Sequence, residues 1–157
     1  MEQKTIELFK KMLKILEPAK DLTIDEWADA YRILSKESSA EPGQWNTDRT
    51  PYLREIFNCI TDSYTEAITI MSSSQVGKTE MLLNILGRYM HLDPCSILFV
   101  QPTVEDAKAF SKERVEPMIR DTKILKQLVK KSNRRGEGTV QGKMFPGGYV
   151  RFVGANS

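Results

Sequence analysis

The sequence predicts an α/β fold in which helices come first and a parallel β-sheet with packed helices follows. Apolar residues recur at helical spacing up to about residue 60. From residue 66 the pattern changes, and short uncharged runs at 67–71 and 96–100 alternate with helical stretches. Strand, loop, helix, strand, helix is the order that builds a parallel sheet, because parallel strands need a crossover connection. We therefore expect an N-terminal helical region over residues 1–62 and a sheet domain over residues 63–157.

Two helices are expected before residue 35. Residues 5–16 carry apolar side chains at alternating three- and four-residue steps, and Pro18 ends the pattern. The second helix begins at a capping box, in which Thr23 accepts from an exposed amide and Glu26 reaches back three residues. This helix is predicted to run to about Leu34.

A polar stretch of turn-forming residues, 35–50, separates these helices from a third. Thr50 followed by Pro51 is typical of an N-cap with proline at the first helical position. The buried stripe of this helix is expected to comprise Tyr52, Leu53, Ile56, Phe57 and Ile60.

The sheet domain is expected to open with a strand at 67–71, followed by a loop and a strongly periodic helix. The apolar side of that helix contains Met81, Leu82, Ile85, Leu86 and Met90. The uncharged run 96–100 is typical of a strand that is buried on both faces.

The remaining elements are a helix and a hairpin. Thr103 and Asp106 predict a capping box that opens a helix towards Glu116, which Pro117 kinks or ends. The tail contains two β-rich segments around a Pro-Gly-Gly turn at 146–148.

Composition excludes several classes of protein. The charged fraction of 28% and the apolar fraction of 40% are typical of a soluble domain, and a net charge of +2 confines any basic surface to a local patch. Cys59 and Cys95 have no metal-binding or redox spacing, and His91 is the only histidine, so a multi-histidine metal site is excluded. No apolar run approaches the length of a membrane span, and we expect a cytosolic protein.

The loop between the first strand and its helix indicates nucleotide binding. It ends in Gly77, Lys78 and Thr79, as phosphate-binding loops (Walker A motifs) do, although Ser72 stands where their first glycine is usual. Backbone amides and the helix N-terminus attract phosphate oxygens. Lys78 is expected to reach the β- and γ-phosphates of ATP, and the Thr79 hydroxyl to bind Mg²⁺. Because the loop lies between a strand and a helix, we interpret the sheet domain as the front half of a P-loop NTPase domain.

Three stretches, 26–56, 72–122 and 143–157, also resemble the N-terminal part of the large terminase subunit of tailed phages, in the lambda-like (GpA) family. The resemblance runs in order from about residue 22 to the end. It implies an ATPase domain that drives DNA into a capsid, followed by a nuclease domain in a much longer protein. The parallel sheet is accordingly expected to be incomplete in this chain.

The resemblance assigns roles to individual residues. It implies that the loop residues Ser72, Ser73, Ser74, Gln75, Val76, Gly77, Lys78 and Thr79 hold the triphosphate. Gln75 matches a glutamine of the family, whereas Ser74 stands where other terminases have an arginine. Tyr52, Arg49 and Trp45 are candidates for stacking on the adenine base, with burial in the core as the alternative for Trp45 and Tyr52. Residues 101–103 and 154–157 match two further motor motifs, the first of which faces nucleic acid in helicase-like motors.

The partners that the resemblance implies are double-stranded DNA, the small terminase subunit, the portal of the procapsid and further copies of the motor subunit, all in the host cytoplasm and none in a membrane. The basic residues Lys126, Lys130, Lys131, Arg134 and Arg135 either contact DNA or form a solvated loop. The N-terminal helix either packs within the chain or receives the small subunit.

Catalysis is a separate question. After Thr79 no apolar strand followed by paired acids occurs, so the group that completes Mg²⁺ binding and the one that orients water are not evident. We expect weak nucleotide binding without turnover. Two alternatives stay open, a helicase-type translocase and a non-catalytic remnant that binds a nucleotide or a partner.

Overall fold

The computed structural model describes most of the chain, namely residues 6, 7, 9, 21–37, 39, 41–133 and 141–156, with only the backbone described at 130–133. Positions 6, 7 and 9 are helical, and the side chains of Ile6 and Phe9 are exposed. The rest of the helix expected at 5–16 lies outside the described residues.

The first region contains two α-helices and a small hairpin. Helix α1 spans Ile24–Tyr31 and helix α2 spans Leu53–Thr61. Between them the short strands β1 (Ile33–Leu34) and β2 (Gly43–Gln44) pair antiparallel, and a 3₁₀-helix covers Thr47–Arg49.

The second region is a three-stranded mixed sheet with helices. Its elements in chain order are α3 (Lys78–His91), β3 (Ser96–Gln101), α4 (Val104–Phe110), a π-helical turn (Ser111–Val115), α5 (Glu116–Asp121), α6 (Lys123–Asn133), β4 (Gly142–Phe145) and β5 (Gly148–Gly154). The strand order is β3-β5-β4, with β5 parallel to β3 and antiparallel to β4. The α/β class and the C-terminal hairpin are thus confirmed.

The capping box predicted at Thr23 forms, and the one predicted at Thr103 forms only in part. The Glu26 amide donates to Thr23 Oγ1 and the Glu26 carboxylate accepts from the Thr23 amide. At the start of α4 the Asp106 amide donates to Thr103 Oγ1, and the Thr103 hydroxyl donates to the Asp106 carboxylate. The predicted end of the first of these helices at Leu34 is wrong, because Arg32 is extended and the chain then enters the β1–β2 hairpin.

The third helix begins later than the sequence indicates. Thr50 is not its N-cap, because Thr50 and Pro51 form a turn whose carbonyls accept from Leu53 and Arg54. The helix buries Leu53 and Phe57, whereas Tyr52 lies before its first turn and is 53% exposed. The expected membership of Tyr52 in the buried stripe is therefore wrong.

The strand expected at 67–71 is absent. This segment carries no strand assignment, and Ile68, Ile70 and Met71 are exposed. Strand pairing requires backbone partners on a neighbouring strand, and within the described ranges 21–37, 41–133 and 141–156 none pairs with it. Its β-rich composition predicts a strand, but composition alone does not supply a neighbour.

Strand β3 buries one face, not two. Phe99 stacks on Phe110 at 4.8 Å between ring centroids, and Phe152 of β5 lies beside both. On the opposite face Leu98 is 63% exposed and Val100 is also exposed. Helices cover only the Phe99 face among the described residues, which is why the uncharged run does not become a doubly buried strand.

The helical path from Thr103 passes Pro117 after a change in helix type. The π-helical turn Ser111–Val115 precedes α5, and Pro117 lies in the first turn of α5.

Helix α3 is held against α1 by one large side chain. Trp27 is fully buried, and a Cβ on Gly87 would lie 2.2 Å from Trp27 Cη2, so only glycine allows this approach. The Trp27 indole N–H donates to His91 Nδ1 at 3.0 Å, and the Tyr31 ring meets His91 edge-on. The expected apolar side of α3 is only partly right, because Leu82 is exposed while Leu83 is buried.

The partial burial of His91 predicts a pH-dependent stability. Burial lowers the pKa of His91 below its ordinary value of 6.5, so the unfolded chain binds the proton more readily than the folded one. Stability is therefore fully present above pH 6.5 and falls as pH drops through the folded-state pKa. Melting temperatures between pH 8 and pH 5 should show this loss, and His91→Gln, whose amide oxygen still accepts a hydrogen bond, should reduce it. An identical pH profile for both proteins would contradict this role of His91.

Candidate functional site

The loop before α3 has a backbone shape that depends on one glycine. Gly77 is the N-cap of the 14-residue helix α3 and has a φ of 79°, in the left-handed region. Gln75 has a φ of 59° and is the one non-glycine residue of the described chain with a positive φ. Residues 72–75 are exposed. The loop therefore presents its backbone to solvent immediately before a helix N-terminus, which attracts anions.

Lys78 is folded back over this loop. Its Nζ donates to the carbonyls of Ser72 and Ser73, at 3.3 and 2.5 Å. No carboxylate pairs with Lys78 in the described part of the chain. Two neutral carbonyls are weak partners for an ammonium group, so a phosphate can replace them.

The first turn of α3 is tied to the N-terminal region. Thr79 is half-buried, and the next residue, Glu80, accepts a hydrogen bond from Arg32 Nη2 at 2.8 Å. Arg32 is only 1% exposed and also donates from Nη1 to the Ile33 carbonyl. Burial lowers the pKa of Arg32, and the Glu80 carboxylate opposes that shift. The pair joins the end of α1 to the helix that starts with Lys78 and Thr79.

Tyr52 reaches the other end of the loop. Its hydroxyl donates to the Val76 carbonyl at 3.0 Å, while about half of the side chain stays exposed. A side chain from the start of α2 and one from the end of α1 therefore contact the residues on either side of Gly77–Thr79. The sequence pattern placed Tyr52 in a buried stripe and did not reveal this contact with the loop.

The other two aromatic-site candidates lie elsewhere. Trp45 is 7% exposed and donates through its indole N–H to Thr47 Oγ1, so its place is in the core. Arg49 is exposed, pairs with Glu41 and lines a cleft of about 330 Å³ that contains no loop residue. The structure thus brings Tyr52, but not Arg49, into contact with the loop.

The segments 101–103 and 154–156 meet at the ends of the parallel strands β3 and β5. The Ala155 amide donates to the Gln101 carbonyl at 2.7 Å. A Cβ on Gly154 would lie 2.5 Å from the Val104 amide nitrogen, so this close contact requires glycine. The two motifs, which are about 50 positions apart in the sequence, therefore lie next to each other.

Two of the acidic residues that could be considered as metal ligands have structural partners. Asp106 bonds to Thr103 and Glu80 to Arg32. Within the described residues no group of three or more His, Cys, Asp or Glu side chains is placed to hold a metal ion. Among the described residues, the Thr79 hydroxyl remains the candidate ligand for Mg²⁺.

Only part of the basic cluster is described. Lys126 is exposed on α6, and the backbone of Lys130 and Lys131 continues that helix. Arg134 and Arg135 lie outside the described residues. None of the helices that the structure describes is long and apolar enough to cross a membrane.

Comparison with known proteins shows the family to which the chain belongs. The family model of the phage terminase large subunit gpA, ATPase domain, matches residues 39–157. The chain belongs to this family. It is 36% identical over 107 residues to the terminase large subunit of Enterobacteria phage P21 and 37% identical over 106 residues to that of Escherichia phage lambda.

Each of these alignments covers 68% of this chain and 16% of the relative. The chain therefore spans about a sixth of the length of the curated relatives. No solved structure gives a significant match.

The loop geometry predicts a stability cost for Gly77→Ala. A left-handed φ costs an alanine roughly 1–2 kcal/mol more than a glycine. Gly77 is the N-cap of α3, so the strain falls at the start of that helix. Urea unfolding should therefore show a free energy of unfolding that is lower by about this amount. Ser74→Ala, on the same exposed loop, is the matched control and should change stability by less than about 0.5 kcal/mol. Equal stability of Gly77→Ala and Ser74→Ala would mean that the left-handed conformation is not required.

Proposed function

We propose that the loop Ser72–Thr79 binds the triphosphate of ATP with Mg²⁺, and that this chain is the N-terminal portion of a phage DNA-packaging motor ATPase. The observation that carries the proposal is the position of Lys78. It directly follows the left-handed Gly77 at the N-terminus of α3, and among the described residues its Nζ bonds only to carbonyls. Membership in the terminase large-subunit family supplies the biological setting.

Binding requires Lys78 to exchange its partners. In the structure Nζ lies on the carbonyls of Ser72 and Ser73. Rotation of the side chain towards the β- and γ-phosphates replaces these neutral acceptors by charged ones, which form stronger hydrogen bonds. The amides of the loop and the first turn of α3 then face the phosphate oxygens, and the Thr79 hydroxyl is the ligand proposed for Mg²⁺.

The fold proposed for the whole domain is the P-loop NTPase type, with residues 1–62 as an N-terminal helical region and residues 63–157 as the front half of the ATPase domain. The mixed α/β architecture and the loop–helix junction at Gly77 support it.

Tyr52 is the residue proposed to meet the adenine base. Its hydroxyl lies on the loop and its ring is about half exposed, so a face remains for stacking. Arg49 stays a candidate only if it leaves Glu41, its partner in the structure.

The proposed partners are those of a packaging motor, namely double-stranded DNA, a small terminase subunit, the portal of the procapsid and further copies of the same subunit, in the host cytoplasm. Lys126 is exposed on α6 and supports a basic surface for the DNA backbone.

The first test is nucleotide binding by Lys78→Ala. The variant removes the cation aimed at the phosphates, so the thermal shift that Mg-ATP causes in the parent should nearly disappear. Neither protein should hydrolyse ATP at a steady rate, because the described residues place no acidic metal cluster near Thr79. An equal shift in parent and variant would refute the site, and hydrolysis that Lys78→Ala abolishes would show that the chain holds a complete catalytic set.

The second test separates two roles of Tyr52. Tyr52→Phe keeps the ring and removes the hydrogen bond to Val76, a contact worth about 0.5–1.5 kcal/mol. It should weaken ATP and inorganic tripolyphosphate alike, by up to about tenfold, because both need the loop. Tyr52→Ala should weaken ATP further but not tripolyphosphate, which has no base to stack. Equal further losses for the two ligands would exclude base stacking by Tyr52.

A further inference from the structure

The carboxylate of Glu80 lies at a position that opposes polyphosphate binding. Glu80 follows Lys78 and Thr79 directly and belongs to the first turn of α3. An acidic residue there stabilises the helix N-terminus in the absence of a ligand. For an incoming triphosphate the same charge is repulsive, and it competes for the positive end of the helix.

The Glu80 carboxylate forms an ion pair with the buried guanidinium of Arg32. Arg32 Nη2 lies 2.8 Å from Glu80 Oε2, and the Arg32 side chain is 1% exposed against 18% for Glu80. Because the pair is shielded from solvent, salt screens it much less than it screens a surface pair. The other carboxylate that acts on Arg32 is Asp121, which is itself paired with Arg120 at 2.8 Å.

Stability alone does not explain this arrangement. Burying a guanidinium is costly, and Arg32 Nε has no hydrogen-bond partner among the residues that the structure describes. A buried ion pair usually stabilises a fold no more than apolar residues of the same volume would. We therefore expect the Arg32–Glu80 pair to affect ligand binding by the neighbouring loop.

We propose that Arg32 is a positioning residue of the nucleotide site, which neutralises and orients Glu80 so that the Lys78–Thr79 turn accepts a polyphosphate. The inference rests on the proposed function, because it assumes that this turn binds phosphate. Arg32 itself touches neither the loop nor a ligand in this account; it acts through Glu80.

The test is a double-mutant cycle on the whole 157-residue chain, with binding of Mg-ATP and Mg-tripolyphosphate measured by calorimetry. Arg32→Gln leaves Glu80 charged and unpaired, and both ligands should bind about tenfold more weakly. Adding Glu80→Gln removes the repulsion, and affinity should return to within about twofold of the parent. Glu80→Gln alone should bind at least as tightly as the parent.

A merely structural role gives a different pattern. In that case the double variant binds no better than Arg32→Gln, and that result overturns the proposal. Arg32→Lys, which keeps the charge, should bind both ligands more tightly than Arg32→Gln.

Two controls keep the outcomes distinct. If Arg32→Gln fails to fold by circular dichroism, Glu80→Gln and Arg32→Lys decide the matter, and weaker binding by Glu80→Gln overturns the proposal. If the parent binds both ligands and Lys78→Ala loses them while the Arg32 variants bind as the parent does, only the role of Arg32 is refuted. If the parent binds neither ligand, the proposed function and the role of Arg32 both fail.

Discussion

The close approach of Trp27 to Gly87 is the constraint on which the arrangement of this molecule depends. The six-membered ring of the indole occupies the space that any side chain at position 87 would take. This contact presses α1 against the middle of α3, and the hydrogen bond from Trp27 to His91 extends it to the end of the helix. Since α3 begins at Lys78, the same contact sets where the loop stands relative to the N-terminal region.

The loop is consequently tied to its surroundings on both sides. Tyr52 contacts Val76 before the glycine, and Arg32 contacts Glu80 after the threonine. Lys78 bridges the loop internally, but phosphate binding would withdraw it from Ser72 and Ser73. The two outer contacts do not involve the lysine and are compatible with a bound nucleotide. The N-terminal region therefore contributes contacts to the proposed nucleotide site.

One face of the three-stranded sheet exposes apolar side chains. Leu98, Val100 and Tyr149 are exposed on the side opposite to Phe99. The segment 67–71 likewise exposes β-branched side chains without a paired neighbour among the described residues. Surfaces of this kind are usually covered in a folded protein or mark a site of contact. The exposure fits a chain that spans about a sixth of its curated relatives.

The sequence by itself determined the features that depend on neighbouring residues. The N-caps Thr23 and Thr103 and the hairpin around 146–148 were correctly predicted, because capping and turn chemistry act over three or four positions. The family was also recognisable from its motifs. Tertiary structure alone decided the rest: whether the β-rich run 67–71 finds a partner strand, and that Tyr52 faces the loop while Trp45 is buried. It also paired Arg32 with Glu80, 48 positions apart along the chain. Such contacts depend on how helices pack through residues like Gly87, and no local pattern encodes that distance.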